Sequence, residues 1–510
     1  MPWRPEPLLL QRRFLVVAAA ALLAVGFGLT LLIFYPGVMT YDAKFVYEEI
    51  ANGTLGDWQS PVMVWLWGLI DPIAPGAGSM FLLIATTYWL GFGVLSLVLA
   101  SRGKASALLL PLLAMTPPAL TFAGIIWRDV LLATCWLLAA TVAFAVSEQR
   151  SPIRLTGQAL ALALVILGIL LRPNALLAAP ILTAYIVWVS RASLLKTAIF
   201  YVPAVIGFLG IVQLVYYGML DAKRQHPLQT IMIFDLGGIS HFAKENQFPV
   251  DWDESENAML LNSCYQPTLW DIYWRLEPCD FVMRKVEREK GLFGTSAISR
   301  AWLLAILNHP VAYLQHRSAF MWNLLAADNL TMWTADVEHP TQNVFADRAA
   351  FNAIVSAHDM LKPTPFLRAG FWLLACIVVC CVSSRRSARR EAAFALGVCG
   401  SAAVYVLSFY AVGVASDFRY VYWAVLASIA GGTVVLSGGA KRAELPVQSG
   451  LLLRFSRRGP ALVVGVGNAR QFLDERRNRP DFVVLGAGLR EAGHASHVDA
   501  VLDHPEQLGR

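Results

Sequence analysis

Residues Phe14 to Tyr35 read FLVVAAAALLAVGFGLTLLIFY, and Pro36-Gly37-Val38-Met39-Thr40-Tyr41-Asp42 follows directly. An uncharged apolar run of this length, coiled as a helix, matches the hydrocarbon core of a bilayer. Arg4, Arg12 and Arg13 precede it. Cytoplasmic ends collect Lys and Arg, so the N-terminus is expected inside and Asp42 on the far face. A carboxylate delivered there is a poor structural element and a good catalytic base. The run is too long for the apolar part of a cleavable leader, so it is expected to remain as the first span.

The whole chain has the same character. Of its 510 residues 57% are hydrophobic and 15% charged, against about 25% charged in soluble domains. Apolar stretches of bilayer length recur without the alternation of barrel strands, and only helices or closed barrels satisfy their backbone groups in lipid. The fold class is an all-α polytopic membrane protein. The net charge of +6 is spread over short clusters between apolar runs, which speaks against a nucleic-acid partner.

About ten spans account for the chain. They begin at Phe14–Tyr35, Met80–Ala100 and Ala105–Ile125, and a fourth follows Trp127-Arg128-Asp129. The fifth and sixth flank Arg172-Pro173-Asn174, and the seventh covers Ala198–Leu220. The eighth ends at Arg385, Arg386, Arg389 and Arg390, the ninth leads to Ser416-Asp417-Phe418-Arg419-Tyr420, and the tenth returns to Lys441 and Arg442. Pro61–Ile70 is too short to cross and suits a helix lying at the interface. Only with that assignment do Arg102, Lys104, Arg150, Arg154, Arg191, Lys196 and the later basic clusters all fall inside, as the positive-inside rule requires. Residues 1–442 thus form the membrane domain, with a first outer loop at 36–79 and a large outer loop at 221–365.

The tail, 443–510, is expected to be a small cytoplasmic appendage. Two β-like runs, Ala461–Gly467 and Phe482–Gly488, surround a charged, helix-compatible segment. Gly465-Val466-Gly467-Asn468-Ala469-Arg470 lacks the third glycine of a dinucleotide fingerprint, and the tail is too short for such a domain. Of seven cysteines, Cys135, Cys376, Cys380, Cys381 and Cys399 belong to apolar helices. Cys264 and Cys279 lie in the large outer loop, where an oxidising compartment permits pairing.

With the topology set, polar residues at span ends converge on the outer face. Asp42 and Asp57 lie in the first loop; Arg128 and Asp129 open span four; Arg172 and Asn174 sit between spans five and six; Asp417, Arg419 and Tyr420 precede span ten. Ionisable groups at a membrane boundary are costly and mark a site. Arginines there grip a phosphate by paired hydrogen bonds, and a nearby carboxylate takes the proton of a hydroxyl nucleophile. In the large loop, Asp235-Leu236-Gly237-Gly238 follows a strand-like run, its glycine pair giving a flexible turn or an acceptor groove. Ala301–Leu325 suggests an amphipathic helix, with Arg317 facing lipid phosphate or solvent.

This order of features resembles the GT-C superfamily of membrane glycosyltransferases. It is similar to the protein mannosyltransferases and the aminoarabinose transferase of lipid A, over about Phe14 to Ser437 in architecture. The resemblance implies a bacterial inner-membrane enzyme, both termini cytoplasmic, that takes a sugar from a polyprenyl-phosphate donor to an envelope lipid or glycan. Asp42 would be the base and Asp129 a second catalytic acid. Arg128, Arg172 and Arg419 would hold the donor phosphate. Tyr41, Asp57, Gln59, Asn174, Asp235 and Tyr420 would complete the substrate site. Two departures stand out: Ala43 follows Asp42 where relatives carry an acidic pair, and Gln59-Ser60-Pro61 replaces their His-Pro or Lys-Pro. Both argue against a divalent cation, whose oxygen ligands would have to be Asp42, Asp57 and Asp129; no cofactor is expected. The competing readings are a lipid or glycolipid flippase, which needs polar groups near mid-membrane, and a surface-polysaccharide polymerase or ligase, for which His316 and Arg317 are the discriminating positions.

Overall fold

The computed structural model describes residues 6–188, 194–327, 348–385, 389–438 and the strands at 449–456, 462–468 and 482–487. Arg4, Arg191, Arg386, Lys441, Arg442 and the segment between the two expected tail strands lie outside the described residues. The chain divides into two compact units, Met1–Gly439 and Ala440–Arg510.

The first unit is helical. Among the described residues seven helices are long and apolar enough to cross a membrane: Leu10–Phe34, Ala77–Ser101, Arg128–Val146, Ser151–Leu171, Leu195–Met219, Arg390–Val412 and Phe418–Gly438. An eighth crossing is broken. Ala105–Ala114 and Pro117–Ala123 meet at 57°, because Pro117 and Pro118 each lack an N–H and the residue before a proline avoids helical angles. Two expected spans are shorter than the sequence suggests. The stretch after Arg172 is a 3-10 turn, Pro173–Leu177, followed by Ala179–Val187, and the eighth is Ala369–Ser384.

Burial orders these helices. In their most apolar stretches Arg128–Val146 and Phe418–Gly438 are 78% and 83% buried, whereas Leu10–Phe34 and Leu195–Met219 are 22% and 17% buried. The two helices that begin with the candidate arginines Arg128 and Arg419 are therefore central. At the far end of Arg128–Val146, Glu148 takes Arg102 at 2.9 Å and Arg390 at 2.5 Å, gathering two of the basic clusters around one carboxylate.

Pro61–Ile70 forms a helix of its own. Ser60 caps it by accepting from Met63 N at 3.1 Å, and Pro61 sits where a missing N–H costs nothing. The large loop is a second helical layer, including Gln229–Ala243, Glu254–Asn262, Ser296–Asn308 and Pro310–Ala326. Here the sequence reading needs two corrections. The run before Asp235 is helix, not strand, and the expected single helix over Ala301–Leu325 is two helices parted at His309-Pro310. Cys264 and Cys279 are bonded.

In the second unit, strands Leu462–Asn468 and Phe482–Ala487 both pair antiparallel with a third, Ser449–Ser456, which the sequence reading did not find. A dinucleotide fingerprint belongs to adjacent parallel strands, and this sheet has none.

Candidate functional site

Backbone pairing brings the first loop onto the start of the fourth span. Val38 N donates to Gly124 O at 2.9 Å, Ile126 N donates to Val38 O at 3.1 Å, and Trp127 Nε1 donates to Thr40 Oγ1 at 2.8 Å. Helices Tyr41–Asn52 and Arg128–Val146 thus begin side by side. Thr40, not Asp42, is the cap residue of the first, and Asp42 lies within its opening turn with its carboxylate free for other partners.

Those partners come from distant parts of the chain. Arg419 Nη1 lies 2.5 Å from Asp42 Oδ2, and Gln59 Nε2 donates to Asp42 Oδ1 at 3.2 Å. Asp417 steadies Arg419 from behind: its Oδ2 is 3.3 Å from Arg419 Nε, and its Oδ1 accepts from Arg419 N at 2.9 Å. Asp129 binds not its neighbour Arg128 but Arg172, with Oδ1 3.0 Å from Nε. Arg172 and Arg419 both lie over the Tyr420 ring, at 5.0 and 5.3 Å, and that ring is stacked on Phe409. Arg419 also faces Trp127 at 4.8 Å. Arg128 Nη1 donates to Trp58 O at 3.4 Å.

Between these groups is a narrow cleft lined by Asp42, Ala43, Val46, Gln59, Met63, Ile126, Trp127, Arg128, Asp129 and Arg419. Its volume is about 10 Å³, room for about one water. The Arg128 and Arg419 guanidinium groups line this narrow space beside Asp42. Burial pushes the Asp42 carboxyl up, but Arg419, Arg128 and Arg172 outweigh it and hold Asp42 below the usual carboxylate range. Asp417 goes the other way, raised by burial against the pull of Arg419. The cleft therefore offers an ionised carboxylate beside Arg128 and Arg419, with the charge of Arg172 acting on it from outside the lining. This arrangement is suited to receiving an anion and then a proton.

Other candidates lie elsewhere. Tyr41 is 71% exposed and does not line the cleft. Asp57 ties the first loop to the large one, accepting from Tyr217 OH at 2.7 Å and Gln225 N at 2.5 Å. Asn174 sits in the turn after Arg172, and its buried Oδ1 accepts no hydrogen bond from the described residues. Asp42, Asp57 and Asp129 thus do not assemble an oxygen cage for a divalent cation: two face guanidinium groups and the third is tied to the large loop.

Asp235 is no groove residue. Fully buried, it holds Arg317 Nε at 2.6 Å, accepts from Trp302 Nε1 at 2.7 Å and faces His316 Nε2 at 3.3 Å. The glycines after it are packing positions, since a Cβ on Gly237 would lie 2.2 Å from the Tyr273 hydroxyl and one on Gly238 2.3 Å from the His316 ring. His316 and Arg317 face neither lipid nor solvent. The sequence reading missed Trp127 as a cleft wall and Gln225 and Tyr217 as anchors of the first loop. Trp127 was within reach as the aromatic neighbour of Arg128, whereas the other two carry no local signal.

These features define a multi-span helical membrane protein with a guanidinium-rich cleft where its spans end. No family model matches the chain, and no curated protein does. Solved structures similar to it include the Archaeoglobus fulgidus oligosaccharyltransferase in the apo form, at 12% identity and a TM-score of 0.37, over 82% of this chain and 50% of that one. The chain thus spans about half the length of that protein. Another is ArnT from Cupriavidus metallidurans bound to undecaprenyl phosphate, at 14% identity and a TM-score of 0.30, over 82% of this chain and 77% of that one. Likeness at these scores is slight, and the cleft has to be judged on its own residues.

Proposed function

We propose that the chain is a membrane glycosyltransferase of the GT-C kind, moving a sugar from a polyprenyl-phosphate donor to a lipid or glycan acceptor of a bacterial envelope. The observation that carries this is the cleft itself, where an ionised Asp42 stands beside Arg128, Arg172 and Arg419 at the ends of the spans. The arginines bind the donor phosphate and neutralise its growing charge as the bond to the anomeric carbon breaks. Asp42 takes the proton of the acceptor hydroxyl, whose oxygen attacks that carbon from the opposite face. Configuration inverts, and polyprenyl phosphate leaves on Arg419 and its neighbours. Asp129 orients Arg172, and Gln59 orients Asp42.

The distribution of basic residues supports an extracytoplasmic cleft with both termini inside, and residues 443–510 as a cytoplasmic appendage. A flippase is less well supported, because the charged groups gather at span ends and not along mid-membrane stretches. A polymerase built on His316 and Arg317 is less well supported because both are buried on Asp235. Mass spectrometry of envelope glycolipids and glycans with and without the gene tests the proposal. A lost sugar increment, restored by the wild-type gene and not by Asp42→Asn, is expected; identical profiles would overturn it.

A further inference from the structure

The loop that presents Arg419 has no regular structure of its own. Helix Arg389–Val412 ends before it and a 3-10 turn, Phe418–Val421, begins after it. Its course is set by a segment of the large loop. Ser416 N donates to Thr268 O at 2.6 Å, Trp270 N donates to Val414 O at 2.9 Å, and Leu269 pairs antiparallel with Ala415. One residue earlier, Gly413 O accepts from Arg317 Nη1 at 2.7 Å, and Asp235 holds Arg317 in turn. A Cβ on Gly413 would lie 2.2 Å from the Phe320 ring, so the backbone here is in close contact.

Residues 268–270 lie inside the segment closed by Cys264–Cys279. The same segment reaches the other side of the cleft. The Trp270 and Trp274 rings lie 6.1 and 5.7 Å from Trp58, whose carbonyl takes Arg128 and whose neighbour Gln59 donates to Asp42. One cross-linked segment therefore pairs with the backbone leading into Arg419 and packs its rings on Trp58, whose neighbour Gln59 holds Asp42. A pairing this short is easily opened unless the strand presenting it is itself confined, and a disulfide supplies that confinement by removing alternatives from a flexible loop.

We propose that the disulfide-closed segment Cys264–Cys279 is a positioning clamp that fixes Arg419 against Asp42. Its consequence for donor binding rests on the reading of Arg419 as a phosphate ligand; the clamp itself does not. The full chain in lipid nanodiscs is compared as wild type and as the Cys264→Ser/Cys279→Ser double variant, by hydrogen exchange and by binding of farnesyl phosphate. Amides 414–417 should exchange at least about tenfold faster in the variant, with Arg128–Val146 unchanged. Farnesyl phosphate affinity should fall about tenfold, and in turnover the donor KM should rise while kcat is largely kept. Unchanged exchange at 414–417 would overturn the clamp. Faster exchange with unchanged farnesyl phosphate affinity would uphold the clamp and overturn the phosphate role of Arg419. Where the double variant does not fold, Ser416→Pro removes the amide that donates to Thr268. Faster exchange of the Trp270 amide with weaker farnesyl phosphate binding is then expected, and unchanged Trp270 exchange would overturn the clamp.

Discussion

Arg419 holds Asp42 at 2.5 Å, and 377 residues of chain separate them. The cation pairs with the carboxylate, so on the proposed reading Asp42 would act as a base only once something else engages Arg419. An anionic donor would do that, which would put donor binding before acceptor activation.

Asp42→Asn removes the charge and keeps the shape. The pair is partly exposed, with side-chain exposures of 43% for Asp42 and 17% for Arg419, so stability should change by less than about 1 kcal/mol. Transfer should fall by about 10²- to 10⁴-fold. Product formation measured on correctly inserted protein checks this, and retained transfer rules out Asp42 as the base.

Arg419→Gln removes the foremost of the cations that depress Asp42. The carboxyl then rises toward its ordinary value, since burial, which favours the neutral acid, is opposed only by Arg128 and Arg172. The acid limb of the pH profile of kcat/KM should move to higher pH. A limb that stays in place or moves down would separate Arg419 from the ionisation of the base.

Arg172→Ala leaves Asp129 buried without its cation. Breaking such a pair from one side costs about 3–5 kcal/mol, so the variant should melt early or fail to accumulate. Removing both charges with Asp129→Asn/Arg172→Gln should recover a good part of the loss. Melting of the three proteins in detergent decides it.

Gly238→Ala pushes a methyl group onto the His316 ring and should destabilise by about 1–3 kcal/mol. Pairing it with His316→Ala should relieve the clash. A Gly238→Ala protein that melts like wild type would show that close packing on His316 does not require this glycine.

Glu49 is buried near Gly56, and burial raises its carboxyl from 4.5 to about 7, against a hydrogen bond from the Gly56 backbone. The folded state therefore favours the protonated acid. Its stabilisation is full below about 4.5 and is lost as pH climbs to about 7. Glu49→Gln should flatten that part of the stability profile, measured as melting temperature against pH; a profile as steep as wild type would place the titration elsewhere.

Much of this architecture was legible in the chain. Long apolar runs announce bilayer helices, but Ala105–Ile125 reads as one continuous span and is broken at Pro117 and Pro118. The arginines at span ends were also visible, because charge at a membrane boundary is conspicuous against apolar sequence. Their partners were not. Arg128-Asp129 reads as a local pair, yet Asp129 takes Arg172 because helix packing places the fifth span's end beside it. Asp235 reads as a loop acid because helical runs of β-branched residues look like strands, and burial on Arg317 is a tertiary fact. Asp57 sits close to Asp42 in sequence, yet Tyr217 and Gln225 take it into a different contact.

The Asp42–Arg419 pair also sets a schedule. Ribosomes add about 5–20 residues per second, so Arg419 is made about 20–75 s after Asp42. Until the last span is inserted, the nascent chain carries a carboxylate without its guanidinium partner. A chain released early can be membrane-bound and partly folded, yet it holds only half of this pair. On the proposed reading, chains that stop short of Arg419 should be inert.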